Sequence, residues 1–495
     1  MFTSLVIASL GFPVWLRLSH FINLLFIGLM IRSGIQILGA HPRLYWNDGC
    51  RPETAWLKFS RKKIPQQKLW TSMDEEIPVS PWLAQPGQDN LGLGRHWHFF
   101  SVIFWVLNGV VYVVLLFATG EWTRLIPTSW SIVPRAWETL VTYLTLHIPP
   151  ASEFRPYDPL QQLAYAGVVF LLGPLLILTG AAMSPAIEAR FPWYIKLFGG
   201  RQSARSLHFL GLVAFIVFII IHTALVLIVH FRDNIRHIVL GSAQSNFTLA
   251  LTIAVIALIG VFAIYVWASW YSLRHRRRVQ RTLGTVVDYT WGALLHKVKS
   301  AQAYHTKDIS PYFWVNGRPP ETEEYQQLAR NNFKDWRLQV SGLVVSPLRL
   351  SLDDLRKLPK QTQITKHNCI QGWSGVAEWG GVLLSEILQF CGAEPEAKYV
   401  VFTSYQLDEQ GRAYYEVIDL VLARHPQTIL AYEMNGEPLP IPHGAPLRLR
   451  VETELGFKMV KYLRSIELVA DYHSLGDGQG GYREDVQYYN MSVEI

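Results

Sequence analysis

Charged residues are scarce in this 495-residue chain, at 17% against about 25% in an average soluble protein. The shortage falls before residue 275, which excludes an ordinary solvated fold for that half. Cysteine is scarcer still. Cys50, Cys369 and Cys391 are too few for a disulfide framework and suit a reducing compartment. No Cys-x-x-Cys or Cys/His spacing completes a zinc site. An organised basic face is also missing. Net charge is +7 and the pI about 9.1, but the bases sit beside apolar runs as topology determinants do, so no nucleic-acid partner is expected.

What the chain does have is long apolar sequence. Five runs, roughly 13–38, 97–118, 160–182, 207–229 and 248–271, are each long enough to span a bilayer. They predict an all-α transmembrane helix bundle embedded in lipid. The first run lacks a basic leader and a small-residue cleavage site, so it reads as a span and not as a signal peptide. Gly173-Pro174 is expected to kink the third span, and Asn108 to hydrogen-bond between helices.

Four histidines give these spans a chemistry. Arg17-Leu18-Ser19-His20, Arg95-His96-Trp97-His98 and Arg205-Ser206-Leu207-His208 each open an apolar run, and His222 follows His208. Fourteen residues of helix rise roughly 21 Å and return to within about 40° of the starting direction. His208 and His222 therefore share a face in opposite halves of the membrane. Ionisable groups there are costly and usually functional. The pattern suits a helix giving one axial ligand to each of two stacked haems. Helix directions pair His20 with His222 on the outer side and His98 with His208 on the inner side. His96 competes with His98; the recurring Arg-x-x-His favours His98 and aims Arg17, Arg95 and Arg205 at haem propionates. His147, His230 and His237 lie at span ends or in loops and read as structural.

With five spans the two termini lie on opposite sides. The 39–96 loop, the 183–206 loop and everything after residue 272 share one side, which carries most of the bases, Arg274–Arg281 included. Arg124, Arg135, Arg155, Arg232 and Arg236 mark the other. The positive-inside rule places the first side, and the soluble half with it, in the cytoplasm of a multi-pass inner-membrane protein.

Beyond a linker at 276–305 the composition becomes that of an α+β domain, 306–475, followed by a flexible tail, 476–495. Strands are expected at Trp336–Val345, Lys398–Tyr405, Leu447–Glu452 and Ser465–Val469. Helices are expected at Ser351–Leu358, capped by Ser351, and at Leu383–Cys391. Cys369 lies in Lys366-His367-Asn368-Cys369-Ile370-Gln371-Gly372-Trp373-Ser374, unlike a packed core thiol. A thiolate can bind a redox metal alone if a cofactor supplies the other ligands. His443-Gly444-Ala445-Pro446-Leu447-Arg448 and Gly456-Phe457-Lys458-Met459-Val460-Lys461 offer an imidazole, a guanidinium and two ammonium groups for a phosphate. Gly456 permits close backbone approach. The tail is formally Gly-x-Gly-x-x-Gly, but no strand-to-helix context surrounds it.

Residues 13–272 resemble the b-type cytochrome subunits of formate dehydrogenases, nickel–iron hydrogenases and thiosulfate reductases, of the cytochrome b561 kind. The resemblance rests on the three Arg-x-x-His motifs, His222 and Gly199-Gly200-Arg201, and implies a di-haem, quinone-reactive subunit. Residues 310–470 resemble the sulfite-oxidase-fold molybdopterin domain. The carrying motifs are Cys369–Ser374, Ala431–Gly436, the His443–Arg448 turn and Gly456–Lys461. This second resemblance implies that Cys369 ligates molybdenum beside one pterin dithiolene. It also implies that His443, Arg448, Lys458 and Lys461 hold the pterin and its phosphate, with Asn316 as a further pterin contact.

Departures from that pattern bear on the substrate. Sulfite-oxidising members follow the cysteine with an arginine-containing segment, where this chain has Gln371, Gly372 and Trp373. Cys-x-x-x-Trp-Ser is closer to the periplasmic methionine-sulfoxide reductase catalytic subunit, although Gln371 replaces its carboxylate. The expected function is a membrane-bound oxidoreductase that passes electrons from quinol through two b haems to a molybdenum centre and reduces an S-oxide or N-oxide. His367 or Gln371 would orient substrate or assist proton transfer. A second reading oxidises an oxyanion such as sulfite and reduces quinone, with Arg412 or Arg424 as anion ligands. A third is a haem-only electron-transfer module with a non-catalytic soluble domain. Oligomeric state stays open, a homodimer included.

Overall fold

The computed structural model describes residues 11–65, 67–145, 147, 157–295 and 302–491. Arg155, residues 296–301 of the expected linker and 492–495 of the expected tail lie outside them. Five helices are long and apolar enough to cross a membrane: α1 (Val14–Ala40), α2 (Leu91–Ala118), α3 (Pro159–Ala182), α4 (Arg201–Ile228) and α5 (Phe247–Arg274). They coincide with the five apolar runs. Helix α4 starts at 201 where the apolar run starts at 207, because Asp48 caps its polar first turn, accepting from the Gln202 and Arg201 amides at 2.8 and 3.4 Å.

Helices α1 and α2 pack as a pair. Asn108 donates from α2 to the Ser19 carbonyl (3.1 Å) and to Asn23 Oδ1 (3.0 Å) on α1. Helix α3 pairs with α4 and contains a π-helical turn, Val168–Leu172, just before Gly173-Pro174. Proline has no N–H and its ring crowds the preceding turn, so the ladder widens upstream. Helix α5 lies outside this four-helix group against α1, where the Tyr265 hydroxyl donates to the Leu24 carbonyl at 2.6 Å. Gly28 makes that approach possible, since a Cβ there would stand 2.1 Å from the Tyr265 oxygen.

Much of the expected linker is a helix, α6 (Arg276–Leu295). Its arginine-rich start suggests a solvated segment, but Val279, Leu283 and Val287 recur every fourth residue and are all buried. Val279 and Leu283 pack on Leu93 of α2.

Among the described residues the soluble domain has ten strands in two sheets: β1 (Leu338–Gly342), β2 (Leu348–Leu350), β3 (Lys360–Asn368), β4 (Ser374–Leu383), β5 (Tyr399–Leu407), β6 (Ala413–Asp419), β7 (Thr428–Met434), β8 (Glu437–Pro438), β9 (Arg448–Val451) and β10 (Leu463–Val469). One sheet runs β2-β1-β10-β5-β6, with β10 parallel to β1. The other runs β8-β7-β4-β3, with β9 also paired to β7. Between them lies a core that includes Trp336, Leu338, Leu430, Leu449 and Leu463. Ser351 caps Leu352–Arg356 in a reciprocal box with Asp354, and α7 (Leu384–Cys391) lies where the sequence places it. Strands β3 and β4 are joined by five residues, 369–373, so the antiparallel pair aims Cys369 at the membrane half.

Residues 476–491 of the expected flexible tail are also ordered. Helix α8 (Tyr482–Gln487) docks on the domain through Glu484, which is fully buried. Glu484 pairs with Lys458, whose ammonium also meets Glu416 (3.1 Å) and the carbonyls of Val417 (3.1 Å) and Gly480 (3.3 Å). Lys458→Met should leave two buried carboxylates facing each other and cost the soluble half about 3 kcal/mol. Thermal or denaturant unfolding measures this, and a loss below about 1 kcal/mol would contradict the assignment.

Candidate functional site

The four histidines meet in two pairs. His20 of α1 and His222 of α4 have ring centres 6.3 Å apart. Two metal–imidazole bonds of about 2 Å each, plus the distance from each nitrogen to its ring centre, add up to about that separation. His98 of α2 lies within electrostatic reach of His208 on α4. His96 points away from the bundle, its Nδ1 2.8 Å from the Gly92 carbonyl and its Nε2 toward Gly284 of α6.

The ring tautomers also fit a metal. Ser33 donates to the Leu29 carbonyl (2.7 Å) and Thr179 to the Leu175 carbonyl (2.7 Å). With those protons committed, the hydroxyl oxygens accept from His98 Nδ1 (3.1 Å) and His208 Nδ1 (3.0 Å). Each Nε2 lone pair is then free for iron. His222 Nδ1 lies 3.1 Å from the Tyr165 hydroxyl. The arginines divide. Arg17 donates to the Val239 carbonyl (2.5 Å), and Arg205 to the carbonyls of His41 (2.6 Å) and Arg43 (2.9 Å). Both are therefore turned from the propionate role. Arg95, 5.4 Å from the Phe99 ring centre, remains available for it.

Cys369 is 2% exposed. Asn316 Nδ2 approaches its sulfur at 3.8 Å and Gln371 Oε1 at 3.5 Å. Burial pushes the thiol up to about 12, so a bound cation is needed to make the thiolate the stable form. Two cavities flank it.

The larger measures about 590 Å³ only when the open solvent at its mouth is counted. His367, His443, Arg448 and Lys461 line it, and its walls carry no carboxylate among the described residues. Burial, with Arg448 and Lys461 nearby, pushes His443 down to about 3. Burial and Arg448 hold Lys461 well below its ordinary value. Arg448 lies over the Trp379 ring at 4.8 Å and keeps a buried, unpaired Nε. Basic side chains whose charged forms are disfavoured by burial and by each other, with an unsatisfied donor among them, fit the phosphate of a pterin. Lys458, spent on its two carboxylates, does not join them. The remaining motif residue, Gly456, is needed, because a Cβ there would stand 2.2 Å from the His367 ring.

His367 lines the larger cavity and not the smaller one beside Gln371. Arg450 donates to its Nδ1 at 3.0 Å. Burial and the surrounding cations keep it well below its usual range.

The smaller cavity lies beside Gln371. Gln371 donates to the Ser72 carbonyl (3.2 Å) and Glu76 Oε1 (2.5 Å), and accepts from Trp373 (3.2 Å). Glu76, Asp89 and Met73 of the membrane half and Arg483 of α8 complete its wall. Sequence reasoning missed all four. Burial, then Asp89, pushes the Glu76 carboxyl up to about 7.

The fold and these sites define a two-part redox protein, a membrane cytochrome joined to a molybdopterin-type domain. Residues 11–241 match the family model of the prokaryotic cytochrome b561, and residues 325–475 match the oxidoreductase molybdopterin binding domain. Among relatives, a chain of Azospira oryzae assigned as the YedZ1 subunit of a protein-methionine-sulfoxide reductase is 40% identical over 31% of this chain and 54% of its own. The protein-methionine-sulfoxide reductase catalytic subunit MsrP of Xanthomonas campestris is 36% identical over 30% of this chain and 52% of its own. That of Campylobacter jejuni is 33% identical over 29% and 52%. The chain spans about half the length of the curated relatives it matches.

Inorganic pyrophosphate should stabilise the cofactor-free protein through the His443/Arg448/Lys461 cluster. Lys461 regains a proton when the anion arrives, so binding strengthens as pH falls from 10.5 toward the depressed value. Lys461→Met should remove that pH dependence. Thermal shifts across pH check this, and a shift that is the same in both proteins refutes it.

Proposed function

We propose that the protein takes electrons from quinol, passes them through two b haems and reduces an S-oxide at a molybdenum–pterin centre. One observation carries the reading: the first turn of α4, the helix bearing His208 and His222, grips both flanks of Cys369. Arg201 donates to Asn368 Oδ1 at 3.1 Å and Gln202 to the Gly372 carbonyl at 2.9 Å. The soluble half is thereby fixed at the end of the bundle where His98 and His208 lie. The positive-inside pattern puts that end in the cytoplasm, so the outer pair, His20 and His222, lies toward the opposite face.

When bound, the molybdenum–pterin group supplies two-electron oxygen-atom transfer. Cys369 and the His443/Arg448/Lys461 cluster would hold it, with Asn316 and His367 at its edge. The chain's own part is to position and to exclude water: Gln371, locked by Ser72, Glu76 and Trp373, presents a fixed amide to the small cavity. Asp89 and the raised carboxyl of Glu76 face a single guanidinium on that wall, so it carries no excess of positive charge for an oxyanion and suits a neutral S=O group. Arg412 is exposed and paired with Asp408 (2.8 Å), and neither it nor Arg424 lines either of these two cavities. The sulfite reading thereby loses its substitute ligands.

Purified protein should contain two haems and one molybdenum, and haem without molybdenum would leave only an electron-transfer module. Cys369→Ser should abolish turnover with the haem spectrum intact. Arg201→Leu should lower quinol-driven turnover by about tenfold or more while turnover driven by a soluble viologen changes little. Equal losses with both donors would remove the relay role of this contact. Faster turnover of sulfite than of sulfoxides would reverse the direction.

A further inference from the structure

The connection between α2 and α3 contains a further helix, Ile132–Leu144. It lies at the end of the bundle away from the soluble domain. Helix α2 begins against α8, where a Cβ on Gly92 would stand 2.2 Å from the Gln487 carbonyl, and runs 28 residues from there. None of the residues assigned to the haems or to the two cavities belongs to this helix.

At about 100° per residue its side chains sort onto three faces. Ile132 and Ala136 are buried, and on their side the Tyr143 hydroxyl donates to Asp158 at 2.6 Å. Arg135, Glu138 and Thr142 make a polar face. Val133, Trp137, Val141 and Leu144 fall within an arc of about 80°, centred roughly 130° from the polar face. They are 52%, 65%, 41% and 73% exposed, and Trp130 just before the first turn is 89% exposed. A stripe of this kind, with two indoles in it, marks a surface that meets something apolar.

The attachments of the helix identify what it meets. Helix α2 ends at Ala118 and α3 begins at Pro159, so both ends of the segment are tied to the ends of membrane spans. Tyr143 fixes the last turn to Asp158, which caps α3 by accepting from the Gln161 amide at 2.8 Å. Gln162 of α3 donates to the Thr123 carbonyl at 3.1 Å and holds the preceding turn to the same span. Phe117, half exposed in the last turn of α2, stacks on Trp122 with ring centres 6.4 Å apart. The lipid-facing surface of α2 therefore continues into this segment. A helix held where spans leave the hydrocarbon, apolar on one face and polar on another, has the form of an interfacial helix. Tryptophan favours that level of the bilayer. Arg135 and Glu138 cancel in charge, so apolar seating and not attraction to anionic headgroups carries the contact.

We propose that Ile132–Leu144 lies on the bilayer surface at this end of the bundle. Trp130, Val133, Trp137, Val141 and Leu144 are seated in lipid, and Arg135 and Glu138 face water. The partner is the membrane itself. Seating the helix steadies the start of α3, the span that brings the Tyr165 hydroxyl to 3.1 Å from His222 Nδ1.

Spin labels placed one at a time on the holoenzyme test this in vesicles of phosphatidylethanolamine and phosphatidylglycerol. The three native cysteines are buried, so Trp137→Cys, Val141→Cys and Glu138→Cys each offer one accessible thiol, and an unchanged haem spectrum verifies folding. The ratio of collisions with oxygen to collisions with a water-soluble nickel chelate should be several-fold higher at 137 and 141 than at 138. Equal access of the chelate to all three positions overturns the proposal. So does exclusion of both reagents from 137 and 141 with dipolar broadening between labels, which would mean that a second copy covers the stripe. The unaltered holoenzyme gives a second readout. A phospholipid that generates a carbene near its headgroup should modify the tryptic peptides containing Trp130 and Trp137. Labelling of the spans without labelling of either peptide refutes lipid seating.

Discussion

Asp48 is the constraint on which the architecture depends. A helix entering hydrocarbon leaves its first amides unsatisfied, and Asp48 accepts two of them at the start of α4. The same carboxylate meets Lys366 of β3 at 3.4 Å, and Lys366 also binds Glu188 at 2.6 Å. Burial alone would raise the Asp48 carboxyl, yet Lys366, the Gln202 amide and Arg201 outweigh it and hold it below the usual range. One side chain thus caps α4, the helix that carries His208 and His222, and anchors the strand that leads into Cys369. Arg201, Gln202 and the residues around Cys369 acquire their contacts from that arrangement.

The sequence was most legible where one physical rule acts alone. Bilayer thickness sets the length of an apolar run, so the spans were open to direct reading, and helical pitch puts His208 and His222 on one helix, α4. The Ser351 cap and the α7 helix followed for the same reason, since their signals are local. Asn108 could be read as an interhelical donor because an amide in lipid has few other options.

Legibility failed where distant residues compete for a motif side chain. Lys458 sits in the expected Gly-x-Lys-x-x-Lys pattern, but Glu416 of β6 and Glu484 of α8 capture it. Arg17 and Arg205 stand one turn before their histidines, yet backbone carbonyls far along the chain take their guanidinium groups. His367 lies two residues before the cysteine, while β3 directs it into the larger cavity against Arg450. The wall of the smaller cavity was least visible of all. Glu76 and Arg483 are 407 positions apart, and no local pattern marks either.

Helix α6 changes what kind of connection joins the two halves. A flexible linker would deliver the soluble domain to the bundle by raising its local concentration, and each reduction would wait on a collision. With Val279, Leu283 and Val287 buried along one side of α6, residues 276–295 act as a strut against α2 instead. Docking is then a property of folding and not an encounter repeated at each turnover. Under the proposed relay, electron delivery would then not depend on the solvent viscosity or ionic strength that govern meetings between separate subunits.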